Sequence, residues 1–387
     1  MGYTSHDDLI AQITQNGKYL RRDFGKLTSP AHTAGGWHLL AGLNGYPNLT
    51  TFPSAQDLVF QTCTELGGDA ASASLFGINH GGNPGGSATK HLLNISGQVV
   101  AAAGAPWQLK LVDIQGYYRM ATTNVTGTGS RALINANTFT ASSSGGLLLT
   151  FTNDFNTFSR VRFTTTTTLP TGLALATDYW LVRVSATTAR VATSLDNAIA
   201  GTVIAFTDAG TGTHTMTMQM RYDFGVGCEA LFVSQTQPTA GGPSLTASSY
   251  TNTAGTAARA FQGTPSMGAT ADAYAARVLH SGNASGRYGP FLPKQGGDTG
   301  IRSIESFTWS GGTAYTGTGV VALLIVRPLV DLPLAATGLL SERDLVNQLP
   351  SMPRVLDGAC LMWMLFGTGA TTANSPVNGQ IDLGWAG

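Results

Sequence analysis

The sequence predicts a mainly β protein: a sandwich or jelly-roll-like body, a small Ig-like β-module inserted into it, and a short N-terminal helix. Three observations lead there. Apolar residues cluster in short runs bounded by Gly and Pro, of strand rather than helix length. Thr, whose branched Cβ fits the pleat, is dense between about residues 138 and 219. A segment near the N-terminus combines helical spacing with a cap.

That segment is Ser5 to Asp23, with Leu9, Ile10, Ile13 and Leu20 at helical spacing. Ser5 suits the N-cap, Asp7 and Asp8 suit the positive end of the helix dipole, and Gly17 ends or frays the helix. From Ser29 to Gly104 the text reads as loop, with paired glycines at 35–36, 67–68, 81–82 and 85–86 and only short strand-like runs such as Leu58–Phe60. Residues 1–98 are therefore expected to be a helix and a Gly-rich arm that drapes over neighbours. The body follows in two parts, 99–137 and 220–387. Gln108–Tyr118 opens it as a strand. Glu229–Ser234, Gly319–Val326 (ended by Arg327-Pro328) and Ala359–Phe366 are continuous apolar runs, expected as strands buried on both faces. Ser341–Gln348 reads as a short helix, with Ser341 as N-cap, Glu342 and Asp344 in its first turn and Pro350 stopping it.

The inserted module is placed at 138–219. Its expected strands are Val161–Thr168, Tyr179–Val184, Ala189–Ala192 and Thr202–Phe206. Leu169-Pro170-Thr171-Gly172, Asp196-Asn197 and the turn opening at Asp208 separate them. A surface loop of the body is where such an insertion costs least.

Composition narrows the function. Lys plus Arg and Asp plus Glu both number 21, so the formal net charge is zero and the excess of positive charge expected of a nucleic-acid binder is missing. Only 11% of residues are charged, against about 25% in an ordinary domain. A chain so poor in charge is suited to lying packed against neighbours. Apolar stretches such as Val320–Val326 are far short of a bilayer span, so no membrane is expected, and the N-terminus shows no signal-peptide pattern.

Catalytic chemistry is not legible. Cys63, Cys228 and Cys360 form no CxxC pair and read as buried apolar residues. The histidines, at 6, 32, 38, 80, 91, 214 and 280, include no HExxH spacing. No GxSxG elbow occurs, and Gly81–Lys90 misses the phosphate-loop spacing because Lys90 follows Thr89. Asp298 sits in a Gly-rich turn. We assign no catalytic, cofactor-binding or metal-ligating residues and expect no enzyme and no cofactor. The six tryptophans (37, 107, 180, 309, 363 and 385) are scattered and read as core or interface anchors. Arg327, Arg343 and Arg354 are expected to pair between subunits with acids such as Asp331, Asp344 or Asp357.

The stretch RFTTTTTLPTGLALATDYWLVRVSATTARVATSLDNAIAGTVIAFTDAGTGTHTM (162–216) resembles a β-module found in structural proteins of tailed bacteriophages. The flanking chain is also similar to phage virion proteins, in ATKHLLN (88–94), LVDIQGYY (111–118), YGPFLPKQGGDTGIRSI (288–304), VALLIVRPL (321–329) and RDLVNQLPSMPRVLDGACLMW (343–363). The resemblance implies a virion structural protein on the capsid surface, a head-associated decoration or cement protein. Its implied partners are the major capsid protein and other copies of itself, with a trimer as the first expectation. The alternatives are a tail or fibre component touching the host, or the major capsid protein itself. The latter is disfavoured because no long spine-helix pattern occurs.

Overall fold

A computed structural model describes residues 3–28, 35–40, 44–46, 59–60, 77–81, 88–100, 106–121, 129–132, 135–143, 148–151, 158–185, 187–236, 244–263, 277–279, 289–310, 320–347, 352–369 and 375–386. The protein is mainly β, of the sandwich class, with a short N-terminal helix.

The helix, α1, spans His6–Thr14. Ser5 caps it, its hydroxyl accepting from the Asp8 amide at 3.1 Å, with Asp7 and Asp8 in the first turn. It ends earlier than the spacing predicts. Gly17 turns the chain at φ +61° and the next residues enter a sheet.

The first sheet is built from β1 (Tyr19–Thr28), β3 (Asn44–Tyr46), β5 (Thr89–Val99), β19 (Ser341–Asp344), β20 (Arg354–Val355) and β22 (Ser375–Ala386). Its order is β19-β5-β22-β1-β3, with β20 also on β5, and every pairing is antiparallel. This corrects two expectations. Residues 19–28 and 89–99 are not part of a draping arm but strands of the body, β1 pairing with β22 along ten residues. Ser341–Asp344 is an edge strand rather than a helix turn, because its backbone finds partners on β5 from Asn94 to Gly97.

The second sheet closes on itself. Its strands are β2 (Gly36–Leu39), β6 (Trp107–Ala121), β14 (Glu229–Thr236), β16 (Arg277–Leu279), β18 (Val320–Leu334) and β21 (Leu361–Gly367), with β4 (Val59–Phe60) added to β6. They run in the order β18-β14-β16-β2-β21-β6, and β18 pairs again with β6 to complete a ring. All six ring strands send side chains inward, among them Leu39, Ile114, Val233, Val278, Leu324 and Met362. Their neighbours face outward and pack against other sheets. Leu109, Leu111, Leu332, Leu361 and Trp363 meet the first sheet, whereas Phe232, Leu323 and Ile325 meet the third. This two-sided burial is why these strands read as unbroken apolar runs. β18 does not stop at Arg327-Pro328 as expected. It continues to Leu334, with a register shift between Pro328 and Val330 that absorbs the proline.

The third sheet, β15 (Ser244–Asn252), β17 (Ile301–Ser310) and β7 (Gly129–Ala132), lies on the ring, with Phe307 edge-on to Phe232 at 5.4 Å.

Between β7 and β14 the chain forms a separate closed barrel. Its strands are β8 (Ala136–Ser142), β9 (Leu148–Phe151), β10 (Arg160–Thr165), β11 (Tyr179–Arg183), β12 (Thr188–Ala192) and β13 (His214–Met218), in the order β10-β11-β12-β9-β8-β13. Phe139, Phe151, Val161, Phe163, Leu181, Val191 and Met216 are buried in its core. Two local expectations are corrected. Asp196-Asn197 belongs to a five-residue helix, α2 (Leu195–Ile199), capped by Ser194. Thr202–Phe206 is not a strand, although Ile204 donates to the Val191 carbonyl at 2.7 Å and Phe206 is buried. The barrel core runs without a break through Met218 and Met220 into the third sheet.

Candidate contact site

Among the described residues no three His, Cys, Asp or Glu side chains gather where a metal ion would fit. The histidines are dispersed: His38 and His80 are buried, and His6 lies near the Val346 carbonyl. His214 is fixed by Thr165 Oγ1 at 2.9 Å and the Ala209 carbonyl at 3.1 Å. His32, His280 and Cys63 lie outside the described residues. Cys228 and Cys360 are buried free thiols, and burial pushes the Cys228 thiol up to about 12. Lys90 is buried in β5, its ammonium bonded to the His80 carbonyl and 5.7 Å from the Trp385 ring. Asp298 ties Tyr250, Asn252 and Arg259 together. Of the acids expected to pair between subunits, Asp331 is engaged within the chain by Lys110. Arg343 donates to the Asp331 carbonyl at 2.8 Å.

The geometry instead singles out the loop that joins the barrel to β14. Residues Asp223–Gly225 form a 3-10 turn. The amides of Gly225, Val226, Gly227 and Cys228 all bond backbone carbonyls, that of Gly227 reaching Thr299 across the loop at 3.0 Å. Val226 bridges Gly300. Gly225 has φ +70°, and a Cβ there would sit 1.9 Å from the Ile301 carbonyl oxygen, so no other residue fits. Arg327 donates to the Val226 carbonyl and lies 5.3 Å from the Tyr222 ring.

This pinned loop presents Phe224 and Val226 to solvent, 51% and 50% exposed. Phe224 adopts φ +56°, a left-handed conformation that costs a bulky residue about 1–3 kcal/mol. Its ring is covered on one side by the Arg302 guanidinium at 5.1 Å. Phe224 thus combines a left-handed backbone with an exposed aromatic side chain, unlike a core residue.

The foot beneath the loop is riveted by charge. Arg221 Nη2 lies 2.6 Å from Asp113 Oδ1, and Asp113 is fully buried on β6. The same carboxylate accepts the Cys360 amide at 2.8 Å, and Gln115 accepts the Arg221 amide at 3.1 Å. On the barrel side Arg160 donates to the Met220 and Arg221 carbonyls at 2.9 and 3.0 Å, and pairs with Asp178 and Asp223. Burial raises the Asp178 carboxyl, but bonds from Arg162 and Arg160 outweigh it and hold the group below the usual range.

Further apolar side chains face solvent at Leu175, Val184 and Ile199 on the barrel, and at Val100, Leu339 and Leu340 beside the first sheet. Sequence reading missed the Phe224 loop. Its only signal is the run Asp223-Phe224-Gly225-Val226-Gly227, where two glycines flank exposed apolar residues without a strand's length around them. Comparison with protein-family models and with curated proteins gave no match.

Proposed function

We propose that the protein is a structural component of a tailed-phage virion, a decoration or cement protein on the capsid that holds the shell through contacts with the major capsid protein and with copies of itself. The resembling stretch 162–216 runs from β10 into β13, four of the barrel's six strands. The observation that carries the reading is the rigid display of Phe224 and Val226 at the barrel's foot. Burying such a side chain contributes about 1.5–3 kcal/mol, too little for one stable interface but enough when repeated over many lattice sites. The neutral charge removes the long-range repulsion that would keep copies apart.

Mass spectrometry of purified particles with copy counting tests it. Copies in the hundreds support a head location. A handful of copies supports a tail or fibre component instead, and absence from particles overturns both. Phe224→Ser is expected to remain folded and to lose particle docking.

A further inference from the structure

The outer face of the first sheet holds two contrasting sets of polar side chains. In one row each side chain has a partner. Arg21 Nε and Nη2 reach the Asp382 oxygens at 2.7 and 3.0 Å, Tyr19 donates to Asp382 at 2.8 Å, and Asn94 donates to Glu342 at 2.5 Å. The next two rows across β1, β22 and β5 are Asp23–Gln380–Ser96 and Gly25–Asn378–Gln98. Among the described residues none of these five side chains has a hydrogen-bond partner. They surround a hollow of about 320 Å³ that is walled on one side by the exposed Leu340. Gly25 is paired with Asn378, one of the lining residues, and an added Cβ there would meet nothing within 4 Å.

We infer that this hollow is a binding site for a neutral saccharide. Three carboxamides, one carboxylate and one hydroxyl supply both donors and acceptors in flat pairs that match adjacent ring hydroxyls. The single formal charge, on Asp23, gives a phosphate or a polyanion nothing to bind. An extended peptide adding as a strand needs a free edge, whereas these groups stand on a face. Leu340 offers an apolar wall for the C–H face of a sugar ring. The volume lies at the low end of ligand pockets, about 300–1,000 Å³, which fits one or two hexose units. Strand register fixes the backbone positions from which the five polar side chains project. The inference goes beyond the virion reading and does not depend on it.

The test is a titration of the full chain with glucose, galactose, N-acetylglucosamine and their β1,4-linked disaccharides, followed by calorimetry and by NMR of the side-chain amides. At least one sugar is expected to bind with Kd of about 1 mM and to shift the amide signals of Gln98, Asn378 and Gln380. Gln380→Ala and Asn378→Ala, which remove lining carboxamides, are each expected to weaken binding about tenfold or more, with unchanged thermal unfolding. Phe224→Ser is expected to bind the sugar as the parent does, so failure of the docking reading leaves this result distinguishable. Absence of binding across the panel at about ten times that concentration overturns the inference. So does binding that survives both Gln380→Ala and Asn378→Ala unweakened.

Discussion

Asp113 is fully buried, and the arginine that faces it, Arg221, follows directly on the last barrel strand. Asp113→Ala removes the buried carboxylate that faces the Arg221 guanidinium. We predict a loss of about 3–5 kcal/mol in urea unfolding, most of it recovered in the double variant Asp113→Leu/Arg221→Met. A small loss in the single variant would remove the rivet from the account. His80 contributes to the acid sensitivity of the fold. Burial, reinforced by the Lys90 and Arg221 charges, holds its imidazole down at about 3, while the unfolded chain titrates near the ordinary 6.5. Between those values the unfolded state binds a proton that the folded state refuses. Stability is therefore intact above pH ~6.5 and falls as pH drops toward 3, by up to about 1.4 kcal/mol per pH unit for this one group. His80→Gln is expected to flatten that slope in a pH series of denaturation midpoints. At Phe224 the direction reverses. Phe224→Gly removes the left-handed strain, so isolated-chain stability should hold or rise by about 1 kcal/mol while particle docking is lost. A clear fall in melting temperature would make Phe224 a structural residue instead.

At the level of elements, the barrel is the separable piece. Its first and last strands pair directly, Ala136 opposite Thr217, so the chain enters and leaves at one point. Replacing residues 136–218 with a short Gly-Ser linker is expected to leave a folded body, checked by far-UV circular dichroism and cooperative melting. The melting temperature should drop, because the barrel core is continuous with the third sheet and Arg160 no longer ties the Met220 and Arg221 carbonyls. The sequence made the ring strands legible because both their faces are buried, so β14, β18 and β21 announce themselves as apolar runs. It hid β1 and β5 because one face of each is polar. Asp23, Asn94, Ser96 and Gln98 point away from the core, and the glycine-rich text around them swamps the alternation. Ser341–Asp344 misled for a physical reason too. Ser-Glu-Arg-Asp carries the cap and first-turn charges of a helix, yet a sheet edge lay within reach and cross-strand pairing overrode local preference. The Phe224 loop was illegible because strain and exposure are properties of the folded backbone, not of residue type.

In the whole molecule, three layers share one ring of strands, and the long pairings join distant parts of the chain. β22 lies between β5 and β1, with α1 packed against it and the Trp385 amide bonded to the Lys18 carbonyl at 3.3 Å. Such non-local topology places folding on the slow side, in milliseconds to seconds or longer. A stopped-flow refolding experiment is expected to show no sub-millisecond recovery of near-ultraviolet signal. The position of β22 also carries a consequence for biogenesis. During synthesis β1 and β5 emerge hundreds of residues before the strand that must lie between them, so the nascent chain trails two unzipped edges until residues 375–386 clear the ribosome tunnel. Exposed strand edges of that kind pair readily with other chains, so crowding during translation favours aggregation until β22 closes them.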